Sequence, residues 1–133
     1  MRIVKLMPLA AATALFLAGP AAGQDKIRET RIDLPAPGKT SAYKGTIRGY
    51  DGAEYVFTAP AGRRLSIDLK TASTSTYFNL AQDGREDALF VGSVGGNSFG
   101  AALPVEGNYR IKVYQMRNAA RKNAKAQYEL RLR

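Results

Sequence analysis

In Tyr109-Arg110-Ile111-Lys112-Val113-Tyr114, the apolar Tyr109, Ile111 and Val113 alternate with the cationic Arg110 and Lys112. A period of two belongs to a strand with one buried face, because successive Cβ atoms point to opposite sides of a sheet. The same pattern returns in Arg64 to Lys70, where Leu65, Ile67 and Leu69 face inward between Arg64, Ser66, Asp68 and Lys70. It returns again near the C-terminus, with Tyr128, Leu130 and Leu132 inward and Glu129, Arg131 and Arg133 outward. No long stretch carries a competing helical period.

Outward from these three stretches, further short runs repeat the pattern. Ala42 to Arg48, Glu54 to Thr58, Tyr77 to Leu80, Ala88 to Gly92, Ser98 to Leu103 and Ala124 to Leu132 read as strands beside Arg64 to Lys70 and Asn108 to Tyr114. Between them lie turn signals: Gly49, Gly52, Pro60 with Gly62, the Thr71 to Thr76 run, Asp83-Gly84, Gly95-Gly96-Asn97, and Pro104 with Gly107. About eight short strands at this spacing predict an all-β fold, an antiparallel β-sandwich over residues 42–133. Residues 24–41 are polar and carry Pro35 and Pro37, so they read as an extended, loosely attached lead-in.

Residues 1–23 read as a signal peptide. Arg2 and Lys5 form a positive start, Leu6 to Ala18 an apolar run, and Ala21-Ala22-Gly23 offers small residues for cleavage after Gly23. The run is too short for a spanning helix, so the expectation is a soluble, exported protein with no membrane insertion. The chain lacks both Cys and His. It therefore folds without disulfides, and it lacks the usual general base and the usual zinc ligand. Loss of Arg2 and Lys5 with the leader takes the formal charge from +9 to +7, which favours acidic partners by steering without naming one.

Few residues look like chemistry. Gly92-Ser93-Val94-Gly95-Gly96-Asn97 precedes a strand and has no phosphate-loop Lys, so it reads as a hairpin connection. Glu86-Asp87 and the Asp51/Glu54 pair have the composition of glycosidase carboxylates, but they sit in polar turns and read as solvated surface charge. Ser93 has no supporting second motif for a hydrolase dyad. The expectation is a protein without catalytic activity, metal or cofactor. Nucleic acid is discounted because the aromatic residues fall on core positions and do not line a basic face.

The exception is Tyr114-Gln115-Met116-Arg117-Asn118-Ala119-Ala120-Arg121-Lys122. Apolar alternation stops at Gln115, and the good helix formers after it suit one helical turn. In that turn Arg117 and Arg121 are four apart and emerge on one face. Two adjacent guanidinium forks match a carboxylate or a phosphate, although a solvated edge turn is the plainer reading of the same residues.

Several stretches resemble the periplasmic inhibitors of goose-type (g-type) lysozyme. They are Ile47-Arg48-Gly49-Tyr50, Tyr77-Phe78-Asn79, Phe90-Val91-Gly92-Ser93, Gly96-Asn97, Leu103 to Tyr109 and Val113 to Arg121. The similarity runs roughly from Lys44 to Leu132, and Met116 to Arg121 is its most specific part. The resemblance implies a β-sandwich that plugs the cleft of goose-type lysozyme, protects peptidoglycan and performs no reaction. It places Arg117 and Arg121 in the cleft, with Tyr50, or Tyr55 in its stead, beside them; Asn118 and Met116 would set the turn or line the rim. The other class left open is a β-sandwich binding module for an anionic envelope component, lipopolysaccharide or peptidoglycan, with Arg117, Arg121, Lys122 and Lys125 as its patch.

Overall fold

A computed structural model describes residues 25–133. The leader and its cleavage position after Gly23 lie outside the described residues. Nine strands and two single helical turns follow one another: β1 (Ile27–Arg31), β2 (Ser41–Arg48), β3 (Gly52–Ala59), β4 (Arg64–Thr71), β5 (Thr76–Gln82), β6 (Phe90–Val91), α1 (Gly92–Gly95), β7 (Ser98–Ala102), β8 (Gly107–Gln115), α2 (Arg117–Ala120) and β9 (Lys125–Leu132). They form two sheets, β1-β3-β8-β5-β6 and β2-β9-β4-β7. Every pairing is antiparallel except β1 with β3.

The sheets close on one apolar layer, and the alternating stretches supply it. Leu65, Ile67 and Leu69 point inward from β4, Tyr109, Ile111 and Val113 from β8, and Tyr128, Leu130 and Leu132 from β9, all buried. Phe57 and Tyr109 stack with ring centroids 5.7 Å apart, and the Tyr109 hydroxyl donates to the Val105 carbonyl. Within the layer the ring of Tyr128 lies over Gly45 on the neighbouring strand. A Cβ at Gly45 would stand 2.3 Å from the Tyr128 hydroxyl oxygen. The Tyr128 and Tyr55 hydroxyls meet at 2.6 Å, and burial, reinforced by that bond, pushes the Tyr128 hydroxyl above its ordinary value.

Three local expectations change. The lead-in is docked: Ile27–Arg31 adds a parallel edge strand to β3, and Ile32 is buried, with its amide donating to the Val56 carbonyl at 2.9 Å. The Ala88 to Gly92 run shrinks to Phe90–Val91, and Gly92–Gly95 turns helically where a hairpin is expected. That turn carries the chain from the β5 sheet to the β4 sheet, passing so close that a Cβ at Gly92 would stand 2.4 Å from the Phe78 carbonyl oxygen. Finally, β8 continues through Gln115, which takes the next inward position after Val113 although it is polar.

Candidate functional site

Three connections meet at one pole of the sandwich: β2–β3, β4–β5 and β8–β9. The last of these carries the arginines. Met116 is extended (φ −65°, ψ 155°), Arg117–Ala120 makes one helical turn, and the Arg121 amide donates to the Arg117 carbonyl at 2.9 Å. One α-turn therefore separates the two arginines, as their spacing predicts. Ala120 is buried and seats the turn on the sandwich, while Arg117, Asn118, Arg121 and Lys122 are exposed. Asn123 ends the turn in the left-handed region (φ 54°), a conformation that Asn tolerates better than most side chains. Among the described residues, neither arginine has a carboxylate within ion-pairing distance.

Gln115 ties this turn to its neighbour. The side chain is 7% exposed, and its Nε2 donates to the Ala124 carbonyl at 2.7 Å and to the Gly49 carbonyl at 3.3 Å. The Gly49 amide also reaches the Ala124 carbonyl, at 2.9 Å. Gly49 itself has φ 59°, and a Cβ there would stand 2.8 Å from Asn123 Oδ1. Only glycine suits both the left-handed backbone and the close approach. The next residue, Tyr50, is thereby presented from the turn beside the arginines, half exposed at 50%. It borders a shallow cavity of about 250 Å³ with Asn79, Lys112, Tyr114 and Gln115.

The β4–β5 connection forms the third support. Ser73 Oγ accepts from the Ser75 amide at 3.2 Å and from the buried Thr76 hydroxyl at 2.8 Å, so the Ser/Thr run folds on itself. The Ser75 carbonyl accepts the Met116 amide at 2.8 Å, and Ser75 Oγ accepts from Asn118 Nδ2 at 3.4 Å. Met116 leaves its side chain 38% exposed.

Arg117, Arg121, Met116, Asn118 and Tyr50 thus gather at one pole. Tyr55 does not: it is 4% exposed, and its hydroxyl is spent on Tyr128. The Asp51/Glu54 pair does not form either. Asp51 Oδ1 accepts the Lys26 amide at 2.9 Å, and Glu54 is paired with Arg110 rather than solvated. Glu86, Asp87 and Ser93 are exposed. Among the described residues no three His, Cys, Asp or Glu side chains gather into a metal-sized group. Gln115 and the Ser73–Thr76 platform lie outside the expected site. The readable signal for Gln115 was its parity: it stands on the inward register of Tyr109, Ile111 and Val113.

No family model matches the chain. The chain is 31% identical over 106 residues to an inhibitor of g-type lysozyme from Escherichia coli strain K12, covering 77% of this chain and 78% of that protein. Among solved structures it is similar to the periplasmic inhibitor of g-type lysozyme from Aeromonas hydrophila. There the TM-score is 0.70 and the identity 30%, over 82% of this chain and 97% of that one. The counterpart from Salmonella Typhimurium matches with a TM-score of 0.60 and 25% identity, over 80% of this chain and 96% of that one.

Proposed function

The chain belongs to the family of inhibitors of g-type lysozyme, and from that membership we propose that it blocks a periplasmic encounter with such a lysozyme by inserting its arginine-bearing pole into the substrate cleft. The observation that carries this reading is the convergence of Tyr50 with Arg117 and Arg121 on turns locked together through Gln115, with both guanidinium groups free of carboxylates among the described residues.

A glycosidase cleft holds at least one catalytic carboxyl group between the walls that bind the sugar chain. A guanidinium delivered there forms a charge-assisted, bidentate hydrogen bond and occupies the space of the scissile sugars. Tyr50 adds a broad contact with little conformational entropy to lose. Met116 and Asn118 line the rim, and Asn118 also holds the turn to Ser75. The inhibitor performs no reaction; it competes with peptidoglycan for the cleft.

Turbidity assays of cell-wall lysis test the reading with goose-type, chicken-type and invertebrate-type lysozymes. Goose-type lysis should be arrested at one-to-one stoichiometry, and chicken-type lysis little affected, because complementarity to one cleft does not transfer to walls of another shape. Equal potency against all three, or full potency of the Arg117→Ala/Arg121→Ala double variant, would overturn it.

A further inference from the structure

The two outer faces of the sandwich differ in charge. On the β1-β3-β8-β5 side, the strands present Arg31, Arg110 and Lys112 against Glu29 and Glu54. Both carboxylates there are paired with Arg110. Arg110 bonds Glu54 and, at 3.1 Å, Glu29, and its Nε lies 3.5 Å from Asp83. The bond to Glu54, then that to Glu29, holds the guanidinium well above its ordinary value.

On the opposite side, β2, β9 and β4 present Lys44, Arg48, Lys125, Arg131, Arg64 and Lys70 against only Glu129 and Asp68. The single ion pair among the described residues of that face is Arg131 with Glu129, at 3.1 Å. Asp68 is occupied by the Ser98 hydroxyl at 2.5 Å. Arg48 even stands directly across from Lys125, a like-charge pairing that costs a sheet stability. Lys44 and Lys70 flank Glu129 across the strands, and Arg131 lies across from Asp68, so these two carboxylates offset part of the charge. Six cations against two carboxylates still leave the face with an excess of positive charge.

The shape of the face narrows what they serve. An open groove of about 840 Å³ runs between Lys44 and Lys70 over Thr46, Gln127 and Glu129. Among the described residues the exposed large apolar side chains are Ile27, Tyr50, Val94, Val105 and Met116, none of them on this face, and Tyr128, which borders the groove, is buried. Sugar rings and unpaired bases bind through aromatic platforms, which the face lacks. A planar array of phosphates needs only matching charge over an extended area. We infer that the β2-β9-β4 face is a peripheral docking surface for an anionic phospholipid membrane, held by electrostatics alone and separate from the arginine-bearing pole. It would keep the protein at the envelope while the pole stays available.

Co-sedimentation of the protein with phosphatidylcholine vesicles, with and without phosphatidylglycerol, tests this. Binding should require phosphatidylglycerol and should be lost as salt rises toward about 0.5 M, where screening acts within a few ångströms. The Lys44→Gln/Lys70→Gln variant, which adds no carboxylate opposite Glu129, should melt close to the parent and bind roughly tenfold or more weakly. It should keep its lysozyme inhibition, whereas Arg117→Ala/Arg121→Ala should keep its vesicle binding. Failure to bind phosphatidylglycerol vesicles, equal binding to phosphatidylcholine alone, or binding only to purified peptidoglycan or duplex DNA would overturn the inference. So would vesicle binding that depends on the arginine turn and not on Lys44 and Lys70. None of these outcomes touches the lysozyme reading.

Discussion

Between the sheets the fully buried side chains are apolar or aromatic, Thr76 excepted. At the arginine-bearing pole the chain is held instead by directed hydrogen bonds, from Gln115 to two carbonyls, from Gly49 to Ala124 and from Met116 to Ser75. Apolar burial is non-directional and scales with area, so the layer sets how stable the sandwich is without aiming any particular group. Hydrogen bonds add little net stability but fix direction, so the pole sets where Tyr50 and the arginines point. Lesions in the two regions should therefore separate: one kind empties the folded state, the other empties the complex.

The layer should show the largest effect. Ile67→Asp places a charge at a fully buried position between the sheets and also removes the packing of the isoleucine. A loss on the order of 4 kcal/mol or more is expected, read as a collapse of the urea or thermal midpoint. A variant that melted with the parent would break the assignment of that face.

At the pole, Arg121→Ala should leave the melting temperature nearly unchanged, because the side chain is exposed and has no ion pair among the described residues. Its cost should appear in inhibition. Losing a charge-assisted contact in a desolvated cleft is worth on the order of 2–5 kcal/mol, or roughly thirty- to several-thousand-fold in affinity. Arg121→Lys should recover part of it, since an ammonium lacks the planar fork. A melting temperature that fell with affinity would erase the contrast between the regions.

Gln115 lies on the boundary and should show both effects at smaller size. Gln115→Ala leaves the Ala124 and Gly49 carbonyls without their side-chain donor, at about 1–3 kcal/mol of stability. Because it acts through the Tyr50 turn, its effect on inhibition should overlap with that of Tyr50→Ala. In a double-mutant cycle the two losses should sum to more than the loss in the double variant. Additive losses would show Gln115 to be a stabilising residue only.

The same contrast explains what was legible in the chain. The layer was legible because burial on one face imprints a local period of two on Leu65/Ile67/Leu69, Tyr109/Ile111/Val113 and Tyr128/Leu130/Leu132. β1 left no such imprint: an edge strand exposed throughout, with Arg28, Glu29 and Arg31 among its five residues, buries no face. The arginine turn was legible from its i, i+4 spacing. The support beneath it was not, since Gln115 meets Gly49 across 66 residues and Asn118 meets Ser75 across 43. A polar residue's partner at such a separation leaves no local pattern. Glu54 was misread for the same reason, its partner Arg110 being 56 residues away.

The smallest effect is the sharpest test of how the pole works. Lys122 follows Arg121 directly, so it points about a hundred degrees further around the turn. Its amide donates to the Ala119 carbonyl at 3.1 Å, and its side chain is exposed like that of Arg121. The two residues thus share their formal charge and their place in the chain, and differ in direction and in donor geometry. If the pole inserts a directed group into a cleft, Lys122→Ala removes only a rim charge and should cost under about 1 kcal/mol of inhibition, a loss that fades with added salt. Arg121→Ala, measured in the same titration, should stand well above it and persist in salt, because a desolvated pair is screened far less. Equal, modest and salt-labile losses for both variants would mean that the pole acts through net charge, and that the direction imposed by Gln115 and Gly49 has no part in inhibition.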